Sequence, residues 1–181
     1  MYEKIIDKLK RNNVLLDTGL ANDEIKKIEL MYNLKFPSDL VKLYSMFVPV
    51  GEGYYNWRDF SNTNIIKIKD KIDSPFVGIK KHLSQISWNE AWGIEPESEF
   101  ERSKYIYLIL DRLPRLIPIY KHRYMATQYE SGNPVFSIYD LDVICYGKNL
   151  EQYFEIELKY KKQSSIDYSN VKKIEFWSDL L

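Results

Sequence analysis

The stretch 116-LIPIYKHRYMATQYESGNPVFSIYDLDVICYG-147 decides the fold. It contains three short apolar runs, 116–120, 135–139 and 143–146, broken by Ser131, Gly132, Asn133 and Gly147. Runs of four or five apolar residues bounded by turn residues predict strands, and their closeness in the chain predicts antiparallel neighbours. Between the first two runs stands the polar knot Lys121, His122, Arg123 and Tyr124. It reads as a catalytic loop around a histidine or as a rigid turn that offers charged and aromatic side chains to a partner. Positive charge on both sides lowers the pKa of His122 and makes it a poor base at neutral pH, so hydrogen bonding or stacking suits it better than proton transfer. Arg123 and Tyr124 are residue types favoured at binding hot spots, although Arg123 can equally tie its strand to an acidic neighbour.

Upstream the pattern is helical. Tyr2, Ile5, Ile6 and Leu9 recur at the spacing of one helix face. A second helix is expected from Asp23, capped by Asn22, with Ile25, Ile28, Leu30 or Met31, and Tyr32 inward. A third starts at FPSDL with Pro37 in its first turn, carries Leu40, Leu43, Tyr44 and Phe47 inward, and ends at Pro49. The segment 49-PVGEGYYNWRDF-60 reads as a loop, 62–70 as a short helix, and 75–95 as two weakly alternating stretches able to pair as strands. Phe100, Ile106, Ile109, Leu110 and Leu113 fit a further helix halted near Pro114. Downstream, Asn149 caps a helix through Lys161, 162–170 is a polar linker, and 171-VKKIEFWSDLL-181 carries enough apolar side chains to dock on the body. Helices first and strands later predict an α+β fold, one domain over 1–181 with 1–20 as an N-terminal helical extension.

Composition narrows the function classes. The chain has 26 basic and 26 acidic residues, so its net charge gives no reason to expect direct nucleic-acid binding. One cysteine, Cys145, rules out an intramolecular disulfide, and its apolar setting predicts burial. No apolar run reaches the ~18 residues of a membrane span, and MYEKIIDKLKRNN lacks the apolar stretch of a signal peptide, so a cytoplasmic protein without membrane contact is expected. Charge is uneven locally. Glu90, Glu95, Glu97, Glu99 and Glu101 lie in a segment without Lys or Arg, whereas Arg112, Arg115, Lys121 and Arg123 cluster.

Catalytic signatures are scarce. GxSxG, HExxH, Walker and GxGxxG motifs are absent, and Gly51 and Gly53 supply only a fragment of the last. His82 and His122 stand forty residues apart without neighbouring ligands, so neither a metal nor a cofactor is expected. Asp140 and Asp142 would share one face of a strand and could hold a magnesium ion with phosphates, but two solvated acids explain them as well. A Cys145–His122 nucleophile and base lacks an orienting third group.

The helical FPSDLVKLYSMF, then YYNWRDF, SWNEAWGIEPES, LIPIYKHRYM, GNPVFSIYDLDVICYGKNLEQYF and KIEFWSDLL occur in an order that resembles the SMI1/KNR4 family, or SUKH superfamily, over most of residues 20–181. The resemblance is to a bacterial branch found in Firmicutes. It implies helices packed on a mixed, mainly antiparallel sheet and a non-catalytic role. Bacterial members are immunity proteins that bind a cognate protein toxin, commonly a nuclease, while fungal members are signalling scaffolds. A monomer or weak homodimer is expected. The neutral charge departs from the acidity of many nuclease-directed immunity proteins. A regulatory scaffold without a toxin is the second reading, and a metal-dependent hydrolase using Asp140 and Asp142 the third. For a partner with a basic site the acidic segment with Glu90, Trp92, Glu95, Glu97 and Glu99, with Phe100 as a further apolar anchor, is the first candidate face. The loop with Tyr54, Tyr55 and Trp57 is the alternative.

Overall fold

Helix α1 (Tyr2–Arg11) buries Ile5 and Leu9, as their spacing requires. The computed structural model describes residues 2–181. Next come β1 (Leu15–Thr18), α2 (Asn22–Tyr32), α3 (Ser38–Met46) and β2 (Phe47–Val50). Then follow α4 (Asn62–Lys81), α5 (Glu99–Arg112), β3 (Ile117–Tyr120), β4 (Arg123–Met125), β5 (Val135–Tyr139), β6 (Asp142–Gly147) and α6 (Leu150–Glu157). The fold is α+β, and both of its sheets are antiparallel: a pair β1–β2 and a four-stranded sheet in the order β3-β4-β5-β6.

The four-stranded sheet explains its own sequence pattern. Ile117, Ile119, Met125 and Val135 face a core built with α1, α2, α3 and α6. Tyr124, Phe136, Ile138, Val143 and Cys145 face a second core built with α4, α5 and the C-terminal segment. A sheet covered on both faces has no polar side to show, so its strands read as apolar runs with little alternation. Edge strand β6 is the exception, alternating exposed and buried residues over its first four positions.

Several elements differ from expectation for identifiable reasons. The segment 1–20 holds strand β1 as well as a helix, because Leu15–Thr18 pairs with Phe47–Val50. Phe47 therefore starts a strand instead of ending the face of α3, and Pro49 sits inside β2, where a two-stranded sheet leaves every residue on an edge. Helix α2 begins at Asn22 with Ala21 in the cap position, whose N–H donates to Glu24 Oε2 at 2.8 Å. Pro37 likewise precedes its helix.

Residues 75–95 form no strands. Helix α4 runs straight through Pro75, which deprives the Lys71 carbonyl of its helical partner. The Ser74 hydroxyl donates to that carbonyl at 3.1 Å. Its only proton is thus used, so the Tyr124 hydroxyl donates to Ser74 Oγ at 2.7 Å. The buried stripe Ile68, Ile72, Phe76 and Ile79 supplies the packing that outweighs the ~3 kcal/mol penalty of a proline in a helix. Beyond α4 come two short 3-10 turns, Leu83–Gln85 and Glu90–Trp92.

Asn149 caps α6 as read, its Oδ1 accepting from the Gln152 N–H at 3.0 Å. The helix stops at Glu157, not Lys161, because Lys159 turns left-handed (φ 62°) and the Tyr160 N–H closes back on the Glu155 carbonyl at 2.8 Å. Gly147 lets β6 meet this helix. A Cβ there would lie 2.6 Å from the backbone N and Cα of Tyr153. Gly147→Ala is expected to lower stability by about 1–3 kcal/mol in a denaturant titration, because backbone cannot swing aside as a side chain does.

Candidate partner-binding surface

The acidic segment is organised by α5 and by a tryptophan beneath it. Ser98 caps α5, its Oγ accepting from the Glu101 N–H at 3.2 Å, and Glu99 and Glu101 occupy the first turn, where helix polarity favours carboxylates. Trp92 was expected among the contact residues. It is buried instead: its ring stacks on Phe176 with centroids 5.4 Å apart, and its indole N–H donates to Asp179 Oδ2 at 2.8 Å. Trp88 meets it edge-on at 5.5 Å and donates to the Gly93 carbonyl at 2.9 Å, while the Tyr105 hydroxyl donates to the Trp92 carbonyl at 2.7 Å. These bonds pin loop 93–98 to α5.

What this base presents is apolar as well as acidic. Ile94 is 97% exposed, Phe100 77% and Leu108 58%. Glu90, Glu95, Glu97, Glu99 and Glu101 lie in the same stretch of chain as the first two and are all exposed, and Glu95, Glu97 and Glu99 line one cleft. Glu95 pairs with Arg102 at 3.2 Å, and the Arg102 guanidinium also donates to the Ile86 carbonyl. Among the described residues Glu97 and Glu99 have no ion pair. Phe100 was read as inward-facing, yet it lies six residues before Ile106, well off the stripe Ile106, Ile109, Leu110 and Leu113. It shares instead the outer stripe with Lys104, Tyr107, Leu108 and Asp111. The same spacing puts Leu108 on the exposed side with Phe100, the apolar anchor that the acidic segment offers in sequence.

The alternative loop divides. Trp57 and Tyr55 are buried, with Trp57 edge-on to Tyr32 and Phe36 and the Tyr55 hydroxyl donating to the Lys121 carbonyl at 2.5 Å. They hold the loop to the body and present almost no surface to a partner. Tyr54 is half-buried, its ring 4.7 Å from that of Tyr120.

The basic residues do not form one patch of unpaired charge. Arg112 pairs with Glu175 at 3.0 Å, Arg115 with Asp73 at 2.8 Å and Arg123 with Glu157 at 3.0 Å. Arg123 also lies over the Tyr146 ring at 3.9 Å and donates to Ser137 Oγ, the structural role open to it in sequence. Tyr124 is buried. Burial first, then the charges of Arg123, Lys121 and Lys71, push the pKa of His122 below its ordinary value.

Two chemical alternatives take shape differently from their sequence expectation. Asp140 sits in the β5–β6 turn with φ 49° and only Asp142 belongs to the strand, so the two carboxylates do not share a strand face. Among the described residues no group of three or more His, Cys, Asp and Glu side chains could hold a metal ion. Cys145 is buried and burial raises its thiol pKa, which disfavours the thiolate. No described helix is long and apolar enough to cross a membrane. Comparison with protein-family models, with curated proteins and with solved structures finds no match to this chain.

Proposed function

We propose that the chain is a cytoplasmic, non-catalytic immunity protein of the SMI1/KNR4 kind that binds a cognate bacterial toxin and neutralises it by occlusion, with a nuclease as the favoured toxin. The ordered segments that resemble that family support the role. One observation carries the binding face: Ile94 and Phe100 are exposed in the same segment as the exposed Glu90, Glu95, Glu97, Glu99 and Glu101, and Glu95, Glu97 and Glu99 line one cleft together with Arg102. A nuclease must present positive charge to hold phosphates, and an inhibitor covering that charge gains from a local negative field even when its net charge is zero. The apolar tips supply the desolvated centre that such a contact needs.

Co-expression with a toxin encoded beside the gene tests the role, and rescue of growth with isolation of a stable complex is expected. Replacing Glu95, Glu97 and Glu99 together by Lys tests the face. Association should slow by about tenfold or more at low salt, with the difference shrinking as salt screens it. Unchanged binding and salt dependence would exclude the face. Persistent killing without a complex would exclude the toxin partner and leave the scaffold reading.

A further inference from the structure

A cleft of about 400 Å³ lies between the segment that joins α1 to β1 (residues 12–15), the end of β2 with the loop after it, Tyr120 at the end of β3, and the end of α6. Tyr54 and Tyr120 form an aromatic wall, their centroids 4.7 Å apart, and Glu52 and Glu157 supply carboxylates to the lining. Glu157 is mostly shielded, with 16% of its side chain exposed. It meets Arg123 through Oε2, and no hydrogen bond to Oε1 is formed among the described residues. The Tyr153 hydroxyl is buried without a partner, and burial first, then the nearby Glu157 and Tyr54, raise its pKa.

The chain places one cation beside the cleft, although Lys121 is not among the residues that line it. Lys121 Nζ lies 5.1 Å from the centroid of Tyr120. Its backbone is held in the left-handed region (φ 46°), with its N–H donating to the Gly53 carbonyl at 2.8 Å. Gly53 is needed for this approach, since a Cβ there would fall 2.5 Å from the Tyr120 ring and 2.9 Å from Lys121 Cγ. The Lys121 side chain itself is exposed, so it can leave without disturbing a core. Aromatic faces and carboxylates attract a positive group and disfavour an anion.

We propose that this cleft binds an organic cation, an alkylammonium or guanidinium group, and that Lys121, which neighbours the cleft, competes with the ligand for the Tyr120 ring. The group could belong to a free amine or to a Lys or Arg side chain of a protein; the chemistry is the same and the site does not depend on the toxin reading. The distinguishing consequence is one of sign: removing the competing lysine strengthens external binding, while removing the wall or the carboxylate weakens it.

The test is an NMR shift titration of the full chain with N-acetyl-arginine methylamide, n-butylamine and, as neutral control, N-acetyl-citrulline methylamide. Saturable shifts of Gly53, Tyr54 and Tyr120 are expected with both cations, and binding of the citrulline compound should be at least about tenfold weaker. Lys121→Asn, which suits the left-handed backbone, should tighten the arginine probe about threefold, whereas Glu52→Gln and Tyr54→Leu should each weaken it about fivefold. Glu52 is exposed, so its variant keeps the test valid if Tyr54→Leu folds poorly. Tighter binding of N-acetyl-lysine methylamide, added as a third cation, than of n-butylamine would point to a protein side chain as the source, and the reverse to a free amine. Equal binding of the citrulline compound, absence of shifts in the cleft, or weaker binding by Lys121→Asn would overturn the proposal.

Discussion

Truncation before Val171 is expected to abolish cooperative folding at room temperature. The eleven residues removed include Ile174, Phe176 and Trp177, all buried. Trp177 meets Phe76 edge-on with centroids 5.3 Å apart, and Phe176 stacks on Trp92. Asp179, lost with them, accepts the indole N–H of Trp92, and its carbonyl accepts from Asn89 Nδ2 at 3.3 Å. One large aromatic removed from a core costs about 3–5 kcal/mol, and a whole domain holds about 5–15 kcal/mol of stability. Two aromatics and an isoleucine therefore consume most or all of the reserve. Near-UV circular dichroism should lose its tertiary signal, and melting should become broad or vanish; an unchanged sharp transition would refute this account. Point variants grade the effect. Trp177→Ala should cost about 3–5 kcal/mol, whereas Trp177→Phe should cost much less, because the Trp177 indole N–H is buried without a partner and its removal relieves an unsatisfied donor.

Trp57→Ala should be the most damaging single substitution outside that segment, at about 3–5 kcal/mol, or roughly 10–15 °C in melting temperature for a chain of this size. Trp57 is 1% exposed, with ring centroids 5.6 Å from Tyr32, 5.5 Å from Phe36 and 6.2 Å from Tyr55. No smaller residue fills a space bounded by three rings, and the cavity left behind adds to the lost transfer energy. The same variant separates core from contact. Where it remains folded, at low temperature, partner affinity should match that of the parent, whereas Phe100→Ala should leave melting unchanged and weaken binding. A Trp57→Ala protein with normal melting and impaired binding would restore the loop as a contact surface.

These expectations rest on a division visible in particular residues. Local signals were legible wherever the determining atoms are close in the chain. Asn149 caps α6, the runs in 116–147 form strands β3, β5 and β6, and Cys145 is buried. Spacing, capping and turn chemistry act over a few residues, so the sequence states them directly. Tertiary structure decided the rest. Leu15–Thr18 becomes a strand only because Phe47–Val50, some thirty residues later, supplies its hydrogen bonds. Pro75 stays inside a helix only because Ser74 caps the freed carbonyl and a buried stripe holds both halves of α4 in place. The aromatic residues divide in the same way: Trp92 and Trp57 look like candidate anchors, and only packing against Phe176, Tyr32 and Phe36 places them inside, whereas helical spacing alone puts Phe100 off the buried stripe of α5. An aromatic side chain has the same hydrophobic drive wherever it stands, so whether it becomes core or surface is settled by which distant neighbours the fold brings to it. The cation cleft is the extreme case, since Glu52, Tyr54, Tyr120 and Glu157 come from three separate parts of the chain and no local pattern joins them.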